Sequence, residues 1–166
     1  MPKITHRTLC HQIAKYLYGY YWCDIVGYEV AYNKGFADVL GITIRSRIAR
    51  PRIVVVEVKR TRADLLQDLR KRKLLKYERN STHCYLAGTA EALNTRQLRT
   101  NRAVIQDLRA LGLPDNWGIL HITKSSKNDC KVIRDAQPMS LPSPKRLEDL
   151  TIQINRSLLS RLIKKD

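Results

Sequence analysis

The chain reads as an α/β fold, a mixed central β-sheet flanked by helices. Three observations carry that reading. Strand-like runs rich in Val, Ile and Tyr follow one another at residues 25–32, 36–45 and 52–59. Stretches of helical period stand on either side of that block. A short apolar run at 83–87 comes only after a helix, and such a crossover lays a strand parallel to the one before it. With 166 residues, 43% of them hydrophobic, the chain is long enough to bury a core without disulfide or metal staples.

The elements follow in order. Ile4, Leu9, Ile13, Tyr16 and Leu17 recur at helical spacing, so residues 5–19 form a helix closed by Gly19. Asn33-Lys34-Gly35 is a tight hairpin connection, which makes the first two strands an antiparallel meander. Residues 46–51 are a basic turn into the third strand. Thr61-x-x-Asp64 is a capping-box-like start to a helix over 61–79. After strand 83–87 comes a helix over 91–111, ended by Gly112 with Pro114 beyond it. Short strands are predicted at 117–123 and 131–134, then a proline-bearing loop at 137–144. A last helix spans 146–164 with an apolar stripe at Leu150, Ile154, Leu158 and Leu162. No repeat or linker interrupts the chain. One domain over 1–166 is expected, with a core at about 4–123 and an extension at about 124–166.

Charge narrows the class of partner. The chain carries 31 Lys+Arg against 15 Asp+Glu, a net +16, so a polyanion is expected and nucleic acid is the commonest one. No apolar run approaches the ~20 residues of a spanning helix, and the first residues lack the apolar segment of a secretory signal. The four cysteines are far apart with no C-x-x-C pair, which suits reduced thiols in a cytoplasmic protein of cellular, phage or mobile-element origin. A composite zinc site from His6, Cys10, His83 and Cys84 competes with plain buried thiols, and the thiols are favoured.

The acids sharpen the picture. Along strand 52–59, Glu57 and Lys59 share one face with Val55, at the end of an otherwise apolar run. Asp38 interrupts a second apolar run, Phe36-Ala-Asp38-Val-Leu-Gly-Ile, and is costly to bury alone. Adjacent antiparallel strands bring Asp38 beside Glu57. Two such carboxylates repel unless a divalent cation sits between them, and oxygen ligands suit Mg2+ or Mn2+. Residues 45–79 hold 13 Lys+Arg and 4 Asp+Glu, a net of 13 − 4 = +9, so the acids stand in a basic field. A metal site facing phosphate has that composition.

These residues resemble the PD-(D/E)XK nuclease superfamily, whose core is restriction-endonuclease-like. Phe36-Ala-Asp38-Val-Leu is followed by Glu57-Val-Lys59-Arg-Thr61-Arg-Ala-Asp64-Leu-Leu-Gln-Asp68, then Tyr77-Glu, His83-Cys-Tyr-Leu-Ala and Trp117-Gly-Ile-Leu. Their order and spacing resemble the MmcB-like DNA repair branch, over residues 25–122. Four features depart from the pattern. Lys73-Leu-x-x-Tyr77 replaces the branch's Lys-Trp-x-x-Tyr, about three extra residues precede that segment, no proline stands before Asp38, and the first helix carries no acid, for which Glu29 is the best substitute.

The resemblance implies a metal-dependent DNA endonuclease. Asp38 and Glu57 would hold Mg2+ (or Mn2+) with the Val58 carbonyl, Lys59 would serve the attacking water, and Lys73 would supplement it. Arg45, Arg47, Arg50 and Arg52 flank the basic turn as a backbone clamp. Arg60, Arg62 and Arg70 extend the clamp along the next helix, on which Arg62, Leu66, Arg70, Lys73 and Tyr77 share a broad face. Arg96, Arg99 and Arg102 offer a second track at three-residue spacing. Tyr16, Tyr18, Tyr20, Tyr21 and Trp22 either stack on bases or pack the first helix, and packing is favoured. Repair or structure-selective cutting, junction resolution and homing-type cutting all fit, with a homodimer or higher oligomer because cutting both strands takes two sites. The rival class is a basic nucleic-acid-binding protein without catalysis, which the charge alone fits equally well.

Overall fold

The computed structural model describes residues 4–19, 23–32, 35–44, 51–123, 130–140 and 143–163, the side chains of 157–163 excepted. Six strands form one sheet in the order β1-β2-β3-β4-β5-β6. They are β1 (Ile25–Tyr32), β2 (Gly35–Thr43), β3 (Arg52–Lys59), β4 (His83–Gly88), β5 (Gly118–Ile122) and β6 (Cys130–Arg134). The pairs β1/β2, β2/β3 and β5/β6 are antiparallel, and β3/β4 and β4/β5 are parallel. Asn33 and Lys34 of the expected hairpin turn lie outside the described residues.

Helix α1 (His6–Gly19) covers one face. Thr5 Oγ1 accepts the Thr8 amide as its cap, and Leu9, Cys10, Ile13 and Leu17 are buried against Val39, Val54, Val56 and Val58. The other face carries α2 (Arg62–Arg70), a 3-10 segment (Lys73–Asn80), α4 (Asn101–Ala110) and α5 (Pro144–Ile163). Their core includes Leu65, Leu69, Tyr77, Val104, Trp117 and Leu150. Gly112 turns the chain after α4 at φ +97°, a left-handed backbone that L side chains rarely adopt.

Two expected helices are broken, and core geometry explains both. The helix over 61–79 stops at Arg70, Arg72 takes a left-handed backbone (φ 49°), and a 3-10 segment follows. An uninterrupted helix that buries Leu65 and Leu69 would turn Arg72 and Lys76 inward and Leu74 outward. The break re-phases the chain so that Leu74 and Tyr77 are buried instead. The helix over 91–111 becomes a turn, a short α3 (Thr95–Leu98) and α4, with Asn94 and Arg99 left-handed. Continued from Leu93, it would present Gln97 and Thr100 to the core. Thr100 instead caps α4 by accepting the Ala103 amide.

The last stripe is core where it is described. Leu150 and Ile154 are fully buried, while the side chains of Leu158 and Leu162 lie outside the described residues. The four-residue zinc site does not form, because Cys10 belongs to the α1-side core and Cys84 to the opposite one. All four cysteines are buried and none forms a disulfide. Among the described residues, no helix is long and apolar enough to cross a membrane.

Candidate active site

An irregularity in the β1/β2 ladder shapes the site. Tyr28 pairs with Val39 and Val30 with Ala37, and the ladder register skips the level between them, where Glu29 stands opposite Asp38. Glu29 has a left-handed backbone there, φ 51°. Both strands change faces at this level. Tyr28 and Val39 pack on the α1 side, whereas Val30 and Ala37 pack on the other. Freed from strict alternation, Asp38 reaches the next strand, where its Oδ2 accepts the Val58 amide at 2.7 Å.

Glu57 and Lys59 lie on the face opposite α1, both buried. Lys59 Nζ bonds Glu57 Oε1 at 2.9 Å and Asp68 Oδ2 at 2.5 Å. The other oxygen of Asp68 takes Lys73 Nζ at 2.8 Å. The Tyr77 hydroxyl closes the cluster 2.8 Å from Glu57 Oε2 and 2.8 Å from the Phe36 carbonyl. Thus the expected Asp38, Glu57, Lys59 and Lys73 do gather at adjoining ends of β2 and β3.

Electrostatics follow from these contacts. Burial, then the Asp38 charge, raises Glu57 above the usual carboxylate range, against the pull of Lys59. Burial disfavours the Lys59 charge, but Glu57 and Asp68 outweigh it and hold the ammonium protonated. Burial also opposes the Asp68 charge, and its two lysine bonds prevail, so its pKa is lowered.

Three residues of the site have no role assigned from the sequence, although Asp68 and Tyr77 stand within the motif. Asp68 occupies a core-facing position one residue before Leu69 on α2, and a carboxylate on an apolar stripe is the available signal. Tyr77 reads as one residue of a basic helix face but is 1% exposed. His6 has no sequence signal for this role. Its Nε2 lies 3.4 Å from Asp38 Oδ2 and 3.3 Å from the Val58 carbonyl. The hydrogen bond with Asp38, helped by Cys10, raises its pKa to about 11. Cys10 Sγ is 3.6 Å from His6 Nδ1, which gives a Cys-His-Asp chain in the order of a nucleophilic triad. Cys10 is fully buried and its thiol pKa is raised, by burial first, so the sulfur supports His6 and is no nucleophile.

The basic residues separate into groups. Arg45, Arg47 and Arg50 lie outside the described residues. Arg52 is partly buried at the start of β3, and Arg60 and Arg70 are exposed. Arg62 is committed to the protein: it pairs with Asp107 at 2.6 Å and donates to the Ala92 carbonyl at 3.3 Å, clamping α2 to α4. Arg96, Arg99 and Arg102 are exposed but form no single helical track, because α3 ends between them. The strongest exposed basic edge joins the expected Arg70 and Lys73 to Lys71, Arg72, Lys76 and Arg79, to which the sequence assigned no role. Of the aromatic cluster, Tyr16 packs against the α1-side core and Tyr18 is 70% exposed, while residues 20–22 lie outside the described residues.

The donor set suits a hard cation that keeps most of its water. Asp38, Glu57 and the Val58 carbonyl offer oxygen only, and the repulsion that raises Glu57 is what a cation would relieve. Among the described residues, no group of three or more His, Cys, Asp or Glu side chains could hold an ion. Mg2+ is commonly held by one or two carboxylates with retained waters, so the pair fits that ion and does not make a closed cage.

No family model matches the chain, and no curated protein does. A solved structure from Silicibacter pomeroyi, described as the SPO1766 protein of unknown function, is similar with a TM-score of 0.62. It is 19% identical, over 98% of this chain and 91% of that one. That likeness shows the α/β fold with its mixed six-stranded sheet flanked by helices.

Proposed function

We propose that this chain is a Mg2+- or Mn2+-dependent DNA endonuclease with a PD-(D/E)XK core, hydrolysing phosphodiester bonds. The observation that carries the reading is that Asp38 is bonded to the Val58 amide, between Glu57 and Lys59 at the end of β3, close enough for its charge to act on Glu57, beside an exposed basic edge. A binder of nucleic acid has little use for carboxylates there. Asp38, Glu57 and the Val58 carbonyl would hold the ion. A bound divalent cation supplies charge stabilisation to the phosphate oxygens.

The chain's own groups do the rest. Lys59 offers a fixed ammonium to charge developing on the phosphate. Asp68 sets its direction and that of Lys73, and Tyr77 fixes the rotation of the Glu57 carboxylate. The basic edge binds the backbone with little choice of sequence. One chain has one such site, so cutting both strands calls for two copies on the DNA.

A second reading, a basic nucleic-acid-binding protein without catalysis, is favoured by one feature. Both Glu57 oxygens, Asp38 Oδ2 and the Val58 carbonyl already have protein partners. Incubation with supercoiled plasmid, branched DNA and RNA, in Mg2+ or in EDTA, separates the two. Metal-dependent DNA cutting, abolished in Glu57→Ala and Asp38→Asn while DNA binding persists, is the expected result. Wild-type cutting by Glu57→Ala would overturn the enzyme.

A further inference from the structure

We infer that His6 is a ligand of the ion, so that the site takes Mn2+ in preference to Mg2+. The inference rests on the nuclease reading, which places an ion on Asp38 and the Val58 carbonyl, and it names the metal of that site. His6 is the first residue of α1, and α1 brings its ring to the site from the face opposite Glu57 and Lys59.

One ring nitrogen meets both oxygens. His6 Nε2 lies 3.4 Å from Asp38 Oδ2 and 3.3 Å from the Val58 carbonyl oxygen. A single N–H cannot serve two acceptors well, and both separations exceed the ~2.9–3.0 Å of a good N–H···O bond. They suit neighbouring ligands of one ion. With bonds of about 2.1–2.4 Å at right angles, two donors stand about 3.0–3.4 Å apart. The ring is also aimed. Its other nitrogen, Nδ1, is 3.6 Å from the buried Cys10 Sγ, one turn along α1. A metal-bound histidine commonly gives its second nitrogen to such an outer partner, which fixes the ring. The His6 side chain is partly exposed, so water can complete the shell.

An imidazole donor changes the choice of ion. Mg2+ keeps its water and prefers carboxylates, whereas imidazole binds transition ions. Mn2+ is the transition ion that carboxylate and carbonyl oxygens also suit, so it fits the mixed set. On binding, the ion displaces the ring proton to solvent, and Asp38 exchanges one positive partner for another.

Titration of the full chain with Mn2+, followed by EPR, tests this without DNA and without cutting. Wild type should bind Mn2+ at least ~10-fold tighter than Mg2+ in competition. Pulsed EPR of the bound Mn2+ should show coupling to a directly bound ring nitrogen, a readout that needs no variant. His6→Ala should lose that coupling and weaken Mn2+ by at least the ~10–100-fold that loss of an outer partner costs, with Mg2+ little changed. Cys10→Ala should keep the coupling and cost less.

Bound Mn2+ without nitrogen coupling, or a coupling retained in His6→Ala, overturns the ligand. Tighter Mn2+ in His6→Ala overturns it too, because the ring would then only occupy the ion's place. Equal affinity of wild type for the two ions overturns the preference. Nitrogen-bound Mn2+ on a chain that leaves plasmid and branched DNA uncut overturns the nuclease reading alone. Metal-dependent cutting by His6→Ala at wild-type Mn2+ affinity overturns the ligand alone, and a chain that binds neither ion overturns both.

Discussion

The Tyr77 hydroxyl lies 2.8 Å from Glu57 Oε2, in a position where the tyrosine is 1% exposed. The same oxygen is 2.8 Å from the Phe36 carbonyl, so one phenol serves two strands. Tyr77→Phe keeps the ring between Tyr32 and Trp117 and removes only the oxygen. A buried carboxylate then loses a donor, at a cost of about 1–3 kcal/mol. Urea titration should show a lower midpoint at unchanged slope. DNA affinity should hold while plasmid cutting falls, because Glu57 loses its fixed rotation. A variant as stable and as active as wild type would remove Tyr77 from the site.

Asp68 joins Lys59 to Lys73 on its two oxygens. Asp68→Ala leaves the buried Lys59 ammonium with Glu57 alone and should cost about 3–5 kcal/mol, the usual result of breaking a buried pair from one side. Removing the three buried charges together with Glu57→Gln, Lys59→Met and Asp68→Leu should recover much of that loss, since no buried ion is then left without a partner. Denaturant midpoints of the single and triple variants decide it. A triple variant as unstable as Asp68→Ala would show that the cost is packing and not the stranded charge.

The sheet is legible in the sequence because Val- and Ile-rich runs specify strands directly, and the expected third strand coincides with β3 from Arg52 to Lys59. Asp38, Glu57 and Lys59 are legible for the same reason: charge in an apolar strand is conspicuous. The helical half is less so. Basic residues between Leu69 and Tyr77 suit a helix locally, and only the core's demand for Leu74 and Tyr77 forces the left-handed break at Arg72. His6 is 32 residues from Asp38 in sequence (38 − 6) and meets it only because α1 lies across β2 and β3. No local pattern encodes that approach.

The exposed edge at Lys71, Arg72 and Lys76 should bind phosphates that Arg62 does not. Neutralising the three to Gln should lower the slope of log K against log salt by roughly 0.9 for each phosphate no longer neutralised. Arg62→Gln should leave that slope alone and cost about 1 kcal/mol of stability, since it breaks a partly buried pair with Asp107. Binding isotherms from low to physiological salt, with thermal unfolding alongside, measure both. A fall in slope for Arg62→Gln, with none for the triple variant, would reverse the assignment.

His83 gives the fold an acid limit that is independent of catalysis. It is buried at the start of β4, with Nδ1 2.9 Å from Thr82 Oγ1. Burial first, then the Arg52 charge, lowers its pKa below the ordinary 6.5. Below pH 6.5 the unfolded chain therefore binds a proton that the folded chain resists. The stability contributed by neutral His83 is full above pH 6.5 and is lost as pH falls through the depressed folded value. His6, with its pKa raised to about 11, works the other way: its contribution is full below 6.5 and fades on the alkaline side, so the two windows do not overlap. Urea midpoints at pH 8 and pH 5 should drop less in His83→Gln than in wild type. An equal drop would move the acid sensitivity to His121, whose pKa burial also lowers.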